Sequence, residues 1–135
     1  MGPFLVVGVR MGGVAKKFFN QDAGDSVRFQ VTAKVPLVIP FSCTIDGIQA
    51  ATSCTLGNQR LRIENTRKQI FASFRAENSD HVVRISVNPR VIRDLMRKMS
   101  AGIGNDELSG EIAAMPERQL FTIEKECALS AVRGW

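Results

Sequence analysis

Three cysteines carry most of the chemistry that this sequence could perform, because it contains a single histidine and its acidic residues are dispersed. Cys43 is expected in the first turn of a helix, where the helix dipole favours negative charge. That position suits a metal ligand or a nucleophilic thiolate. Cys54 and Cys127 bring the count to three, and no secretion signal precedes them. An odd count of this kind predicts reduced thiols in a cytoplasmic protein.

Cys43 and Cys54 are a poor pair for one metal ion if a single helix joins them. Eleven residues of continuous helix would separate them by about 16 Å at about 1.5 Å per residue. Zinc–sulfur bonds are only about 2.3 Å long. The two thiols could therefore share an ion only if the helix breaks, and the alternative for both is a small apolar residue in the core.

Other catalytic arrangements find little support. A Ser–His–Asp or Cys–His arrangement would have to use His81, which is expected at the start of a strand beside a loop. Paired-carboxylate chemistry needs two acids, and Asp46 stands alone in an otherwise apolar helix. We therefore predict no catalytic residue, and interpret His81 as a surface residue.

A ligand-binding face is predicted on the same helix. Asp46, Gln49 and Thr52 follow one another in steps of three, which places them on one helix face. A small anion would suit the N-terminus of this helix. Gly8 and Gly12 lie one turn apart in the first helix, and either close helix packing or close approach of a ligand would explain them.

The first half of the chain predicts a helix, a strand and a second helix. The first helix opens at Gly2-Pro3 and carries apolar residues three and four apart: Phe4, Val7, Met11, Val14 and Phe18. A polar turn over residues 20–25 leads to an alternating strand over residues 27–32. Ser42 or Thr44 is expected to cap the second helix, and Gly57 to stop it.

The second half predicts three strands, two helices and a last strand. Residues 60–64, 69–75 and 81–87 alternate in polarity and are interpreted as an antiparallel meander. Asn88-Pro89 starts a helix that ends at Gly102, with a buried stripe of Val91, Ile92, Leu95, Met96 and Met99. Asn105 or Asp106 caps a short helix that ends at Pro116, and residues 119–125 form the last strand. The predicted fold class is α+β: one domain over residues 1–135, with an antiparallel or mixed sheet packed by an N-terminal helix, a central Cys-containing helix and C-terminal helices.

Composition narrows the class of partner. The 135 residues include 44% hydrophobic and 23% charged residues, with a net charge of +5 and no tyrosine. The basic residues gather around positions 60–68 and 90–98, which we interpret as two solvated faces. Few aromatic residues are placed to stack bases, so nucleic acid is not the expected partner. No apolar run approaches the length of a membrane span, so no membrane is expected either.

Two blocks resemble the FmdE family of formylmethanofuran dehydrogenase components. The first is Gly2-Pro3-Phe4-Leu5-Val6-Val7-Gly8-Val9-Arg10-Met11-Gly12. The second is Cys43-Thr44-Ile45-Asp46-Gly47-Ile48-Gln49 with Thr52-Ser53-Cys54-Thr55-Leu56-Gly57, which is similar to the family's Cys-x-x-Asp-Gly/Ala-Ile-Gln and Thr-Gly-Cys-Thr-x-Gly. Members occur beside molybdenum or tungsten formylmethanofuran dehydrogenase in methanogens, and in other organisms without an assigned reaction.

The resemblance implies helices on a mixed sheet, a homodimer, and zinc or another transition metal as cofactor. Cys43 and Cys54 would be the metal-ligating residues. The other matching positions, Asp46, Gln49 and Thr55, join Gly8 and Gly12 as expected ligand-binding residues. The family's His-Gly-His-x-Cys-Pro motif and its C-terminal zinc ribbon are absent, so the metal site would be incomplete within one chain.

Three hypotheses follow for the function. The first is an accessory ligand- or metal-binding domain with a pocket near the second helix and a small-molecule ligand. The second is a non-catalytic dimerisation or assembly subunit that contacts other subunits of an oxidoreductase complex. The third is a thiolate enzyme using Cys43, for which the sequence supplies no clear base.

Overall fold

The computed structural model describes residues 2–19, 28–77 and 79–127, which contain five helices and five strands. In chain order they are α1 (Pro3–Phe19), β1 (Phe29–Val35), α2 (Cys43–Thr52), β2 (Leu61–Asn65), β3 (Phe71–Ala76), β4 (His81–Val87), α3 (Pro89–Ser100), α4 (Asn105–Ala114), α5 (Glu117–Leu120) and β5 (Phe121–Cys127). The predicted turn over residues 20–25 lies outside the described residues. In the described part of the chain, no helix is long and apolar enough to cross a membrane.

The five strands form one mixed sheet in the order β2-β1-β3-β4-β5. β1 and β2 run parallel, with Val31 opposite Leu61, and every other pair is antiparallel. The α+β fold class is confirmed, but the predicted meander is wrong for β2, which lies beside β1 instead of β3. The reason is that the chain crosses over through α2 between β1 and β2, and such a crossover joins parallel neighbours.

One face of the sheet carries the hydrophobic core. Alternate residues of β1, including Phe29 and Val31, are fully buried, as are Phe74 of β3 and Ile85 of β4. The apolar stripe of α1 packs into this same core. The predicted helical spacing is confirmed, because Phe4, Val7, Met11 and Val14 are all buried.

Helices α1 and α2 cross with their backbones in contact at two glycines. A Cβ atom at Gly8 would lie 2.0 Å from the carbonyl oxygen of Thr44, and one at Gly47 would lie 2.1 Å from the carbonyl oxygen of Leu5. One turn further on, a Cβ at Gly12 would lie 2.4 Å from that of Ala51. Only hydrogen fits at these positions, so the glycines set how closely the two helices approach.

The ends of α2 differ from the prediction. The helix stops at Thr52, and Ser53 takes the left-handed conformation that ends it, with φ of 61°. Gly57 therefore lies beyond the helix. Ser42 precedes the helix without a side-chain capping bond, and Thr44 is buried inside the first turn. The backbone of Ser53 makes the stop, a role that the sequence pattern assigned to glycine.

The C-terminal elements follow the prediction with small shifts. Gly102 ends the turn after α3 with φ of 89°. Gly104, and not Asn105 or Asp106, precedes α4. The short helix α5 was not predicted, and it delays the start of the last strand to Phe121.

Candidate functional site

The two cysteines predicted to bind metal lie at opposite ends of α2. Cys43 is half-buried at the first residue of the helix. Cys54 is 1% exposed, and its Sγ donates a hydrogen bond to the carbonyl oxygen of Phe29 at 3.3 Å. Because α2 is continuous from Cys43 to Thr52, its nine residue steps alone span about 14 Å. Cys54 thus takes the place of a small apolar residue in the core.

The donor groups in the described residues do not fit a mononuclear zinc site. No three histidine, cysteine, aspartate or glutamate side chains come together anywhere in residues 2–19, 28–77 and 79–127. Zinc sites use at least three protein ligands. A metal bound through Cys43 would need donors beyond this set, from a second chain or from elsewhere in the sequence.

The predicted ligand-binding residues do not converge either. Asp46 is exposed and Gln49 half-buried on α2. Thr55 instead shapes the turn after the helix. Its N–H donates to Asn58 Oδ1 at 2.9 Å, and its Oγ1 accepts from the N–H of Asn58 at 3.1 Å. At Gly8 and Gly12 the structure supports the packing alternative, because α2 occupies the space in front of both residues.

The different burial of the two thiols predicts different reactivity. In a Cys127→Ser background, we expect one thiol, that of Cys43, to react with a disulfide reagent in the native protein. Cys54 should react only after unfolding, because its side chain is 1% exposed. Time-resolved thiol titration with mass spectrometry would assign each site. Equal native rates at both positions would contradict the burial of Cys54.

The largest concentration of binding features lies at the end of the sheet where β3 begins and β4 ends. There a cavity of about 560 Å³ opens between α3 and the turn that precedes β3. We call it the α3 groove. It is lined by Phe41, Arg67, Lys68, Gln69, Ile70, Phe71, Arg84, Ser86, Val87, Asn88, Pro89, Ile92, Arg93, Met96 and Thr122.

The floor of the α3 groove is apolar because α3 carries more apolar residues than the core uses. Val91 and Leu95 point into the core and are buried. Ile92 and Met96 are also four residues apart, on an adjacent strip of the helix, and they stay half-buried against the groove. Ile70, 1% exposed, forms the wall opposite them.

Aromatic rings form the remaining walls. The guanidinium carbon of Arg84 lies 4.1 Å from the centre of the Phe71 ring, a cation–π distance. Phe41 makes an edge-to-face contact with Phe4 of α1, with ring centres 5.2 Å apart. The groove is thereby connected to the α1–α2 crossing through packed rings.

Four cationic side chains surround this apolar floor: Arg67, Lys68, Arg84 and Arg93. None of the fifteen lining residues is acidic. Within the described part of the chain, none of the four forms an ion pair with a carboxylate. Their charge is therefore available to a bound anion.

The cations further along α3 are neutralised, which confines the free charge to its start. Asp94 pairs with Arg97, and its Oδ2 lies 3.1 Å from Lys98 Nζ. Lys98 also pairs with Glu111 of α4. The hydrogen bond from Lys98 lowers the pKa of Asp94, and the bonds to Glu111 and Asp94 raise the pKa of Lys98. These pairs hold α3 against α4.

Asn88 fixes the start of α3 against β5. Its Nδ2 donates to the carbonyl oxygen of Gln119 at 2.6 Å, and its Oδ1 accepts from the hydroxyl of Thr122 at 2.7 Å. The side chain therefore makes no capping bond to α3. Pro89 follows as the first helical residue, so the first turn leaves the sheet in a fixed direction.

The sequence contains the parts of this site but not their proximity. The two basic clusters, interpreted as separate solvated faces, meet at the α3 groove through Arg67, Lys68 and Arg93. The available signal was the apolar stripe of α3, which included Ile92 and Met96 beside the core-facing positions. Five apolar positions in one short helix are more than a single core contact requires.

Comparisons with known proteins place most of the chain in one family. Residues 1–128 match the family model described as "FmdE, Molybdenum formylmethanofuran dehydrogenase operon". A crystal structure of an FmdE-like protein of tungsten formylmethanofuran dehydrogenase, from Syntrophus aciditrophicus, shares the fold. Its TM-score is 0.57 at 18% identity, over 90% of this chain and 63% of that one.

A curated relative is similar over a shorter segment. It is a probable S-adenosyl-L-methionine-binding protein from Archaeoglobus fulgidus, 33% identical over 105 residues. The match covers 76% of this chain, but this chain spans only 28% of the length of that relative.

Proposed function

This chain belongs to the FmdE family, and on that premise we propose that it is a non-catalytic accessory domain that binds an anionic small molecule in the α3 groove. One observation carries the proposal: four cationic side chains, and no acidic one, surround an apolar floor in a cavity of about 560 Å³. A volume of this size lies within the range of about 300–1,000 Å³ typical of small-molecule sites.

The physical chemistry of the groove favours an anion that carries an apolar part. A guanidinium or ammonium group bound to a carboxylate or phosphate makes charge-assisted hydrogen bonds, which are stronger than neutral ones. The partly buried Ile92, Met96 and Phe71 reward burial of apolar surface at about 25 cal/mol per Å². A small inorganic anion would use the first contribution and forgo the second.

The residues that line the groove support binding more than catalysis. They include no cysteine, histidine, aspartate or glutamate, the usual general bases and nucleophiles. The hydroxyl of Thr122 is committed to Asn88. Cys43, the residue of the thiolate hypothesis, is not part of the lining, although it follows Phe41 closely in the chain.

The name of the archaeal relative suggests S-adenosylmethionine as a ligand, but the α3 groove has the wrong charge for it. That molecule carries a sulfonium and an ammonium group, which would lie beside arginines without a carboxylate to balance them. We therefore expect S-adenosylmethionine to compete poorly with an aromatic anion of similar size.

A competition titration tests the proposal. Anilinonaphthalene sulfonate, an aromatic anion, should bind the native protein with a rise in fluorescence. Aromatic carboxylates and phosphates should displace it, and the matching aromatic alcohols should not. Binding should weaken with salt, because the Debye length falls from about 10 Å at 0.1 M to about 3 Å at 1 M. Salt-insensitive binding with equal displacement by the alcohols would contradict an anion site.

A second function, assembly, is favoured by a separate observation. The loop before α2 exposes three consecutive apolar side chains: Leu37 at 48%, Val38 at 59% and Ile39 at 85%. Exposed apolar runs of this kind are common where subunits meet. We propose that this loop contacts a second copy of the chain or another subunit of an oxidoreductase complex.

The loop gives a simple prediction for the oligomeric state. If the protein is a homodimer through this loop, Ile39→Asp should shift it to a monomer in sedimentation experiments, because the charge would have to be buried at the interface. Leu56, also exposed at 61%, is the matched control, and Leu56→Asp should leave the state unchanged. A dimer that persists in the Ile39 variant would exclude this loop from the contact.

A further inference from the structure

A second, wider cavity lies on the other side of the first turn of α3. It measures about 1160 Å³ and shares Asn88, Pro89 and Arg93 with the α3 groove. We call it the outer cavity. Its lining residues are Asn88, Pro89, Arg90, Val91, Arg93, Asp94, Arg97, Met115, Arg118 and Gln119.

The outer cavity continues the positive charge of the groove. Arg90, Arg93 and Arg118 have no carboxylate partner among the described residues. Arg90 and Arg93 are three residues apart, so they lie on neighbouring positions of the helix surface. The single acid, Asp94, is already paired with Arg97 and Lys98.

The ridge between the two cavities is held in place and is itself electropositive. It consists of the first turn of α3, and Asn88 fixes that turn to β5 through two side-chain hydrogen bonds. The first N–H groups of a helix point outward and carry partial positive charge. Negative groups that cross this ridge would meet favourable potential along their whole path.

From these features we infer that the two cavities form one extended site for a ring-bearing polyanion. The ring occupies the α3 groove, against Phe71, Ile92 and Met96, and two or more anionic groups pass over the ridge towards Arg90 and Arg118. The inference builds on the proposed function, since it takes the α3 groove as the place where the ring binds.

The division of labour between the cavities is what selects this class of ligand. The groove supplies apolar surface and rings together with cations, as a flat aromatic group with one charge requires. The outer cavity supplies mostly arginines and polar groups, with Val91 and Met115 as its few apolar members besides Pro89. A monoanion would leave the three unpaired arginines of the outer cavity without a ligand group.

Two chemical sources fit this description, and a titration separates them. Adenosine mono-, di- and triphosphate keep the ring constant and add phosphates. Benzoate and benzene di- and tricarboxylate keep the ring constant and add carboxylates. Within the series that resembles the natural ligand, affinity should rise at least about tenfold from the singly to the triply substituted member, as expected for one or two charge-assisted contacts.

The variants assign the gain to the outer cavity. In the double variant Arg90→Gln with Arg118→Gln, the ratio of tri- to mono-substituted affinity should fall towards one. Lys16→Gln removes an exposed charge of α1 and should keep the wild-type ratio. Thermal unfolding of each variant confirms that it is folded, which is expected because both arginines are exposed.

Each outcome decides something different. If monoanions bind in the groove but added charge brings no gain, the extended site is wrong and the proposed function stands. If neither series displaces the fluorescent anion, the proposed function itself fails. If affinity instead keeps rising with the length of an oligonucleotide, the ligand is a nucleic acid, and the small-molecule inference is overturned.

Discussion

Gly8→Ala is expected to destabilise the protein by about 3 to 5 kcal/mol, near the upper end of what single substitutions do. The added Cβ would lie 2.0 Å from the backbone oxygen of Thr44 and 2.9 Å from Gly47 Cα. Neither is the mobile end of a side chain, so the two helices would have to separate. Separation would open the core beneath them, where Val7 and Ile48 are fully buried.

Gly13 provides the matched control, because it lies in the same helix with nothing within 4 Å of an added Cβ. Gly13→Ala should stabilise the protein by about 0.5 to 1 kcal/mol through the helix preference of alanine. Urea unfolding followed by circular dichroism would measure both values. A Gly8→Ala protein as stable as the wild type would show that the α1–α2 contact adjusts without cost.

The largest effect on binding is expected at Arg93, the one cation that lines both cavities. Arg93→Glu removes a charge-assisted contact and places a carboxylate beside the bound anion. Loss of one such contact costs about 1.5 to 3 kcal/mol, so affinity for an aromatic anion should fall at least about 10- to 100-fold. Isothermal titration calorimetry with the best binder of the two ligand series would measure the loss.

The control for this reversal is Lys16→Glu, which changes the net charge equally at an exposed position of α1. It should alter affinity only slightly, and only at low salt, because the added charge is screened by solvent and ions. If both reversals weaken binding by the same factor, the protein attracts anions through its net charge, and the α3 groove is not the site.

Patterns that depend on near neighbours in the sequence predicted local structure well. The stripe of α1 and the Asn88-Pro89 start of α3 were both confirmed. The end of α2 was wrong because Ser53 adopts a left-handed conformation that residue preference assigns to glycine. The place of β2 was wrong because strand alternation says which face is buried, and says nothing about which strand is adjacent.

The candidate site was harder to predict, since its residues come from distant segments. Arg67 and Lys68 belong to the turn before β3, Arg84 to β4 and Arg93 to α3. Only the hairpin of β3 and β4 and the direction of α3 bring them together. The glycine packing, by contrast, was among the alternatives from the start, because closely spaced glycines in a helix already demand an explanation.

The central position of β1 has a consequence for how the chain is made. Its partners are β2, through Val31 and Leu61, and β3, through Val31 and Phe74, so both edges wait for residues at least thirty positions away. During synthesis an apolar strand with two open edges would persist until those residues leave the ribosome, a known route to aggregation. Yield from rapid expression should therefore depend on chaperones or low temperature more than the stability of the finished fold would suggest.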